Sequence, residues 1–301
     1  MKRLNKLYQF IFGPYPWKQF QFFLRLFVLT FLLYMMHRFG YAYERLTDRW
    51  FHYTQEIKAS RQFSPLPLLP TRAVLPFSIF VFSTLIAYLI WYKQKYLIRL
   101  IFLISVYTQF VDQASAFTLN KYYTVFFLLA ALSVTYEQHG KQWISAWPVR
   151  IMQMTFLIQY FTAGTCKVRH GDWSADTTDI LRSQVQWLYC NDFAAYLLRI
   201  LPRSAREIGE HLTLWFEIFA PILLLISYLH RKLVPLKWLV FIMGMWFHLF
   251  IAVSMKNLIY FSQQLMVMYV LFLSYSEYEW IIVQLKKISD RVREVFGRAF
   301  G

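Results

Sequence analysis

Apolar runs of about twenty residues recur along the whole chain, separated by short polar links. A helix rises ~1.5 Å per residue, so a run of this length matches the hydrocarbon thickness of a bilayer. Eight runs stand out: 19–39, 73–92, 97–116, 121–137, 148–167, 209–229, 237–255 and 257–275. The pattern predicts an all-α, multi-pass integral membrane helical bundle of about eight spans, filling a domain at 1–275. Residues 276–301 form a basic amphipathic tail, expected in the cytoplasm. There Ile281, Leu285, Ile288, Val292 and Phe296 share a helical face that Lys286, Lys287, Arg291 and Arg293 avoid. Two longer polar segments intervene. Residues 40–72 hold Pro65, Pro67 and Pro70, which must extend or turn the backbone. Residues 168–208 predict one or two short surface helices ending near Pro202.

Composition strengthens the membrane reading. The chain is 58% hydrophobic and only 16% charged, whereas a soluble domain carries about a quarter charged residues. Its net charge of +16 would suggest nucleic acid in a soluble protein. Here the basic residues sit between apolar runs: Lys2, Arg3, Lys6 and Lys18, then Lys93, Lys95 and Arg99, then Arg231, Lys232 and Lys237. Eight spans place all of these on one side. That bias fits a bacterial inner (cell) membrane with both termini cytoplasmic and membrane lipids as partners, not nucleic acid. The first run is too long for a signal-peptide core and is expected to stay as an anchor. Cys166 and Cys190 are too few for a disulfide framework, and could pair only if both face an oxidising compartment.

Ionisable groups inside spans are costly and tend to face a bundle interior or cavity. They are Arg25, Asp112, Glu217 and His248, with Lys121 and Lys167 at run ends. All except Arg25 fall in the middle to outer half of the membrane when heights are counted at ~1.5 Å per residue. Each has a plain reading beside a functional one. Lys167 is either an anchor snorkelling to headgroups or a base tuned by dry surroundings. Glu217 pairs with a neighbouring cation or serves a site. His248 is a hydrogen-bonded core residue or a site residue. Asp112 caps a helix end or bonds to a neighbouring helix, and Arg25 reaches the inner headgroups. In the fifth run Thr155, Gln159, Thr162 and Cys166 form a polar stripe that should face other helices. Ala163 and Gly164 there permit a close approach. No P-loop, dinucleotide-binding turn, nucleophile elbow, HExxH or paired-cysteine motif occurs, and no metal is predicted.

Residues 150–173 read RIMQMTFLIQYFTAGTCKVRHGDW. Arg150, Gln153, Tyr160, Phe161, Ala163, Gly164, Lys167, Asp172 and Trp173 carry a pattern that resembles the membrane domain of vitamin K-dependent γ-glutamyl carboxylase and its bacterial relatives, the HTTM (horizontally transferred transmembrane) family. Looser matches follow at Asn120, Lys121, Tyr122 and Tyr123, at Glu217 and Pro221, and at Phe247 and His248, in the same order. The resemblance implies lysine-based proton abstraction or oxygenation on a lipid-soluble quinol, either reduced vitamin K or another quinol. Lys167 would be the base, and Glu217 and His248 would orient it or the substrate. Asn120, Lys121 and Gln159 would bind or polarise the ligand. The activity would be that of a carboxylase-like or quinol-oxygenating lyase or oxidoreductase. Lys121 stands where the carboxylase has a histidine, and Asp176 replaces a glycine. The large lumenal domain of the carboxylase is not expected here, which argues against glutamate carboxylation and leaves quinol chemistry without carboxylation or a repurposed scaffold. The alternative is a non-enzymatic membrane scaffold or peptide-maturation partner, engaging a peptide substrate or another membrane protein through its outer loops.

Overall fold

A computed structural model of the chain describes residues 8–43, 71–92, 94–111, 119–135, 143–169, 192–255 and 258–300. Among them the architecture is helical: α1 (Trp17–Tyr43), α2 (Thr71–Ile90), α3 (Lys95–Val111), α4 (Leu119–Thr135), α5 (Trp147–Arg169), α6 (Asp192–Ile200), α7 (Arg203–Leu229), α8 (Val234–Ser254), α9 (Ile259–Met268) and α10 (Tyr275–Phe300). Each of the eight apolar runs overlaps one of these helices. Trp17–His37, Arg203–Leu229 and Val234–Ser254 are long and apolar enough to cross a membrane. Leu75–Ile90, Lys121–Val134 and Ile259–Phe272 are apolar but shorter. Helix α5 has 23 residues, but its polar stripe and basic end dilute its apolar character.

Helix α1 is the centre of the bundle. Of its most apolar stretch 61% is buried, against 39% in α7 and 28% in α8. Phe20, Phe23, Phe27 and Phe31 recur every three or four residues and are fully buried on one face. Phe23, Phe27 and Phe31 pack on Tyr123, Phe126 and Phe127 of α4, with Phe31 and Tyr123 ring centroids 4.6 Å apart. The Tyr123 hydroxyl donates to Thr30 Oγ1 at 3.0 Å, so this aromatic core leaves no stranded phenol. Further contacts join α3 to α4, α5 to α7, α8 to α9 and α1 to α2.

A two-stranded antiparallel ribbon brings the entrances of α1 and α5 together. Pro14, Tyr15 and Pro16 (β1) face Ser145, Ile144 and Trp143 (β2). Proline offers no N–H to a ladder, so Tyr15 is the only strand donor in β1, and the ribbon stays short. Helix α9 ends beside it in a 3₁₀ turn, Tyr269–Phe272. A helix end exposes carbonyls that need donors. Gln153 Nε2 of α5 donates to Leu271 O at 2.6 Å, Gln19 Nε2 of α1 to Leu273 O at 2.7 Å, and Lys237 Nζ of α8 to Phe272 O at 3.4 Å. Three helices thus close a polar collar around the end of a fourth. Arg150 completes it, donating to Phe10 O at 3.0 Å, Gln153 Oε1 at 2.9 Å and the Tyr228 hydroxyl at 2.6 Å.

Two expectations change here, at Lys237 and at the start of α7. Lys237 is not a headgroup-facing member of a basic link. It is buried at the collar and paired with Glu277. Arg25 lies over the Tyr92 ring, 4.7 Å from its centroid. Helix α7 begins at Arg203, two turns before the expected run, because Pro202 holds an extended conformation and the first turns are polar. One short helix, Asp192–Ile200, precedes Pro202, while most of 168–208 lies outside the described residues, as do Asp112, Cys190 and almost all of 40–72.

Candidate functional site

The site starts from a glycine. A Cβ on Gly164 would sit 2.7 Å from Ile218 Cγ1, 3.0 Å from the Ile218 backbone nitrogen and 3.1 Å from Glu217 Cβ. Only a residue without a side chain lets α5 approach α7 this closely. Three residues on, Lys167 shares the face of Gly164. Side chains on a helix lean toward its N-terminus, so the lysine reaches back along α5 rather than outward. Its ammonium meets both carboxylate oxygens of Glu217 at 2.6 Å. The Glu217 side chain is 9% exposed and that of Lys167 23%. The pair is sheltered, with its lysine side partly open.

Pro221 lies four residues after Glu217. Proline has no N–H, so the helix cannot supply the usual donor to the Glu217 carbonyl. Backbone and side chain at this position therefore both carry acceptor capacity in an apolar setting.

One turn below Gly164, Tyr160 is buried on the same face. Its hydroxyl hydrogen-bonds His248 Nε2 of α8 and accepts from the Tyr269 hydroxyl at 3.2 Å. Phe216, next to Glu217, packs edge-on against the Tyr160 ring at 6.0 Å. Gly244 makes room for this chain, because a Cβ there would overlap the Tyr269 hydroxyl. If Tyr269 gives its proton to Tyr160, Tyr160 gives its own to His248 Nε2. A neutral imidazole then carries its remaining hydrogen on Nδ1. That nitrogen is buried without a partner among the described residues, as is Gln159 Oε1. Buried polar atoms almost always have a partner, so two orphans on the helices of one cluster mark places for water or ligand.

Lys167, Glu217 and His248 thus lie on three helices linked through the Tyr160 face of α5. Lys121 stands exposed in the first turn of α4, at the bundle end opposite the collar, and the side chain of Asn120 lies outside the described residues. Cys166 is exposed. Tyr269 joins this cluster through its hydroxyl, although in sequence it is one aromatic among many. Its phenol was the available signal, since an O–H in hydrocarbon needs a partner. Among the described residues no group of three or more His, Cys, Asp or Glu could hold a metal ion.

No family model, curated protein or solved structure matches the chain.

Proposed function

We propose that this chain is a multi-pass membrane protein of the HTTM type, with about eight spans, and that its buried polar cluster handles protons for chemistry on a quinol-like, lipid-soluble substrate. The observation that supports the reading most is the convergence of Lys167, Glu217, Tyr160, His248 and Tyr269 from three helices and the 3₁₀ turn after α9, inside an apolar bundle. Polar groups at such depth are expensive, and a structural role would need fewer of them.

The roles follow from hydrogen-bond chemistry. His248, polarised through Tyr160 and Tyr269, offers an Nδ1–H to a substrate oxygen. Gln159 Oε1 is free to accept from a quinol hydroxyl. Lys167 is held as an ammonium by two carboxylate oxygens, so it accepts a proton only after passing its own to Glu217 or onward. A quinol brings a weakly acidic O–H and dissolves in the bilayer, which suits a site reached from lipid. Asn120 and Lys121 remain proposed ligand contacts.

The bidentate hold on Lys167 also favours a second reading, in which the pair is a tie between α5 and α7 in a non-enzymatic scaffold or peptide-maturation partner. One experiment separates the two. Purified protein in lipid nanodiscs is given a reduced naphthoquinol, and oxygen uptake and quinol oxidation are followed. The double variant Lys167→Met with Glu217→Leu keeps the volume and removes the charges. The enzymatic reading requires turnover in the parent and loss of at least a hundredfold in the folded double variant, the scale of a general-base deletion. Absence of turnover in the parent, or full biological activity in the double variant, favours the scaffold. Mass spectrometry of the extracted protein would reveal a co-purifying quinone.

A further inference from the structure

Helix α10 leaves the bundle at the collar and carries an apolar face that nothing in the described structure covers. Leu285 is 48% exposed, Ile288 57% and Val292 47%. The face does not begin in open solvent: Ile281, one turn earlier, packs against the core. The root is fixed more firmly still. Glu277 accepts from Lys237 of α8 and from the Ser274 N–H and hydroxyl, each of the latter at 2.7 Å. Trp238 and Trp280 flank a recess of about 270 Å³ at this root. Tryptophan favours the headgroup level of a membrane, which places the root at a bilayer boundary.

The charges around α10 are sorted. At about 100° of turn per residue, Arg291 and Lys287 lie roughly 90–130° to one side of the apolar centre, and Arg293 and Lys286 at similar angles on the other. The acids Asp290, Glu294 and Glu279 lie about 150–170° from that centre, on the far side of the helix. Basic stems thus border the apolar face on both flanks while acids point away from it. A helix packing on a second copy would bring two cationic flanks together and repel. An anionic bilayer surface, by contrast, accepts the apolar face between acyl chains and meets both flanks with phosphates.

We propose that α10 is a strap that docks in the plane of a bilayer on anionic phospholipid headgroups, through Lys286, Lys287, Arg291 and Arg293. Its anchored root ties lipid composition at the surface to α8 and the end of α9. This reading does not depend on the chemistry of the buried cluster.

The test uses the full chain in nanodiscs, with Cys166→Ser and Cys190→Ser as background. An environment-sensitive fluorophore is attached after Ile288→Cys, or separately after Asp290→Cys. With phosphatidylglycerol in the disc, the label at 288 shifts to shorter wavelength and becomes inaccessible to an aqueous quencher, while the label at 290 stays in water. Pure phosphatidylcholine discs and high salt weaken the shift. Each Lys→Gln or Arg→Gln change at the four basic positions lowers the docking constant about fivefold, the value of one basic residue at an anionic surface. These side chains are exposed, so the fold survives, and circular dichroism confirms it. Equal shifts in both lipids, or no effect of salt or glutamine substitution, overturns the proposal. So does a shift that appears only with two chains per disc, which assigns the face to a second copy, or only on adding a protein or nucleic acid.

Discussion

Lys167 and Glu217 decide how the interior of this bundle tolerates charge. Counting residues along the chain places the Lys167 backbone near the outer rim, where an ammonium could rise to the headgroups. The lean of helical side chains sends it the other way, onto a carboxylate from α7. Breaking such a pair on one side leaves a buried charge alone, at a cost of about 3 kcal/mol, the low end for buried pairs because the lysine is partly open. Lys167→Ala is therefore expected to lower the thermal midpoint of the detergent-solubilised protein sharply. Adding Glu217→Leu to it should recover most of the loss. If the single variant melts no lower than the double one, the carboxylate is not held dry. Charged members of this cluster were legible in sequence because ionisable residues stand out in apolar runs. The hydroxyls of Tyr160 and Tyr269 were not readable as a relay, because 21 tyrosines and 30 phenylalanines give no contrast between a belt and a site.

Two glycines hold the helices of the site in register. Gly164 admits α7 against α5, and Gly244 admits the Tyr269 ring against α8. Neither is needed for a turn; each is a place where a methyl group has no room. Gly164→Ala should push α7 outward by some tenths of an ångström and destabilise by about 1–3 kcal/mol, as overpacking does. Because the obstacle there includes the Ile218 backbone nitrogen, a side-chain rotation cannot relieve it. Gly244→Ala meets the tip of a side chain instead, so the expected cost is smaller, with loss of the Tyr269 to Tyr160 hydrogen bond. Thermal melts and the ultraviolet difference spectrum of the tyrosines distinguish the two. At this scale the chain was readable where apolar runs are long: each run overlaps a helix among the described residues, and three of those helices are long and apolar enough to cross a membrane. Ends were missed where polar residues continue a helix. The first turns of α7 hold Arg203 and Glu207 as an i,i+4 pair at 2.7 Å, which supports the helix without any apolar periodicity. The collar was likewise hidden. Gln19 and Lys237 look like ordinary boundary residues, and Gln153 like one position of a family pattern, until α9 ends among them.

Taken whole, the molecule has a polar end, where the ribbon, the collar and the root of α10 meet, and an interior where α5, α7, α8 and the 3₁₀ turn after α9 share one polar cluster. The link between the two is α8, which carries Lys237 near its start and His248 on its buried side. Glu277 is a titratable group that meets this link from outside the apolar helices, through its ion pair with Lys237. Burial pushes its carboxyl pKa up. Hydrogen bonds from Lys237 and from the Ser274 N–H and hydroxyl, with the lysine charge, outweigh that and hold it below the ordinary 4.5. A carboxyl whose folded value is depressed contributes stability that is complete above its unfolded value and lost as pH falls through its folded one. Docking of the α10 root should therefore be insensitive to pH around neutrality and should loosen only below the ordinary glutamate value. Hydrogen exchange of the amides in 275–285 would report it. Glu277→Gln should produce the loosened state at neutral pH and remove the acid step. An onset near pH 6.5 would instead assign the transition to a histidine, and the Lys237 tie would not be what fastens the strap.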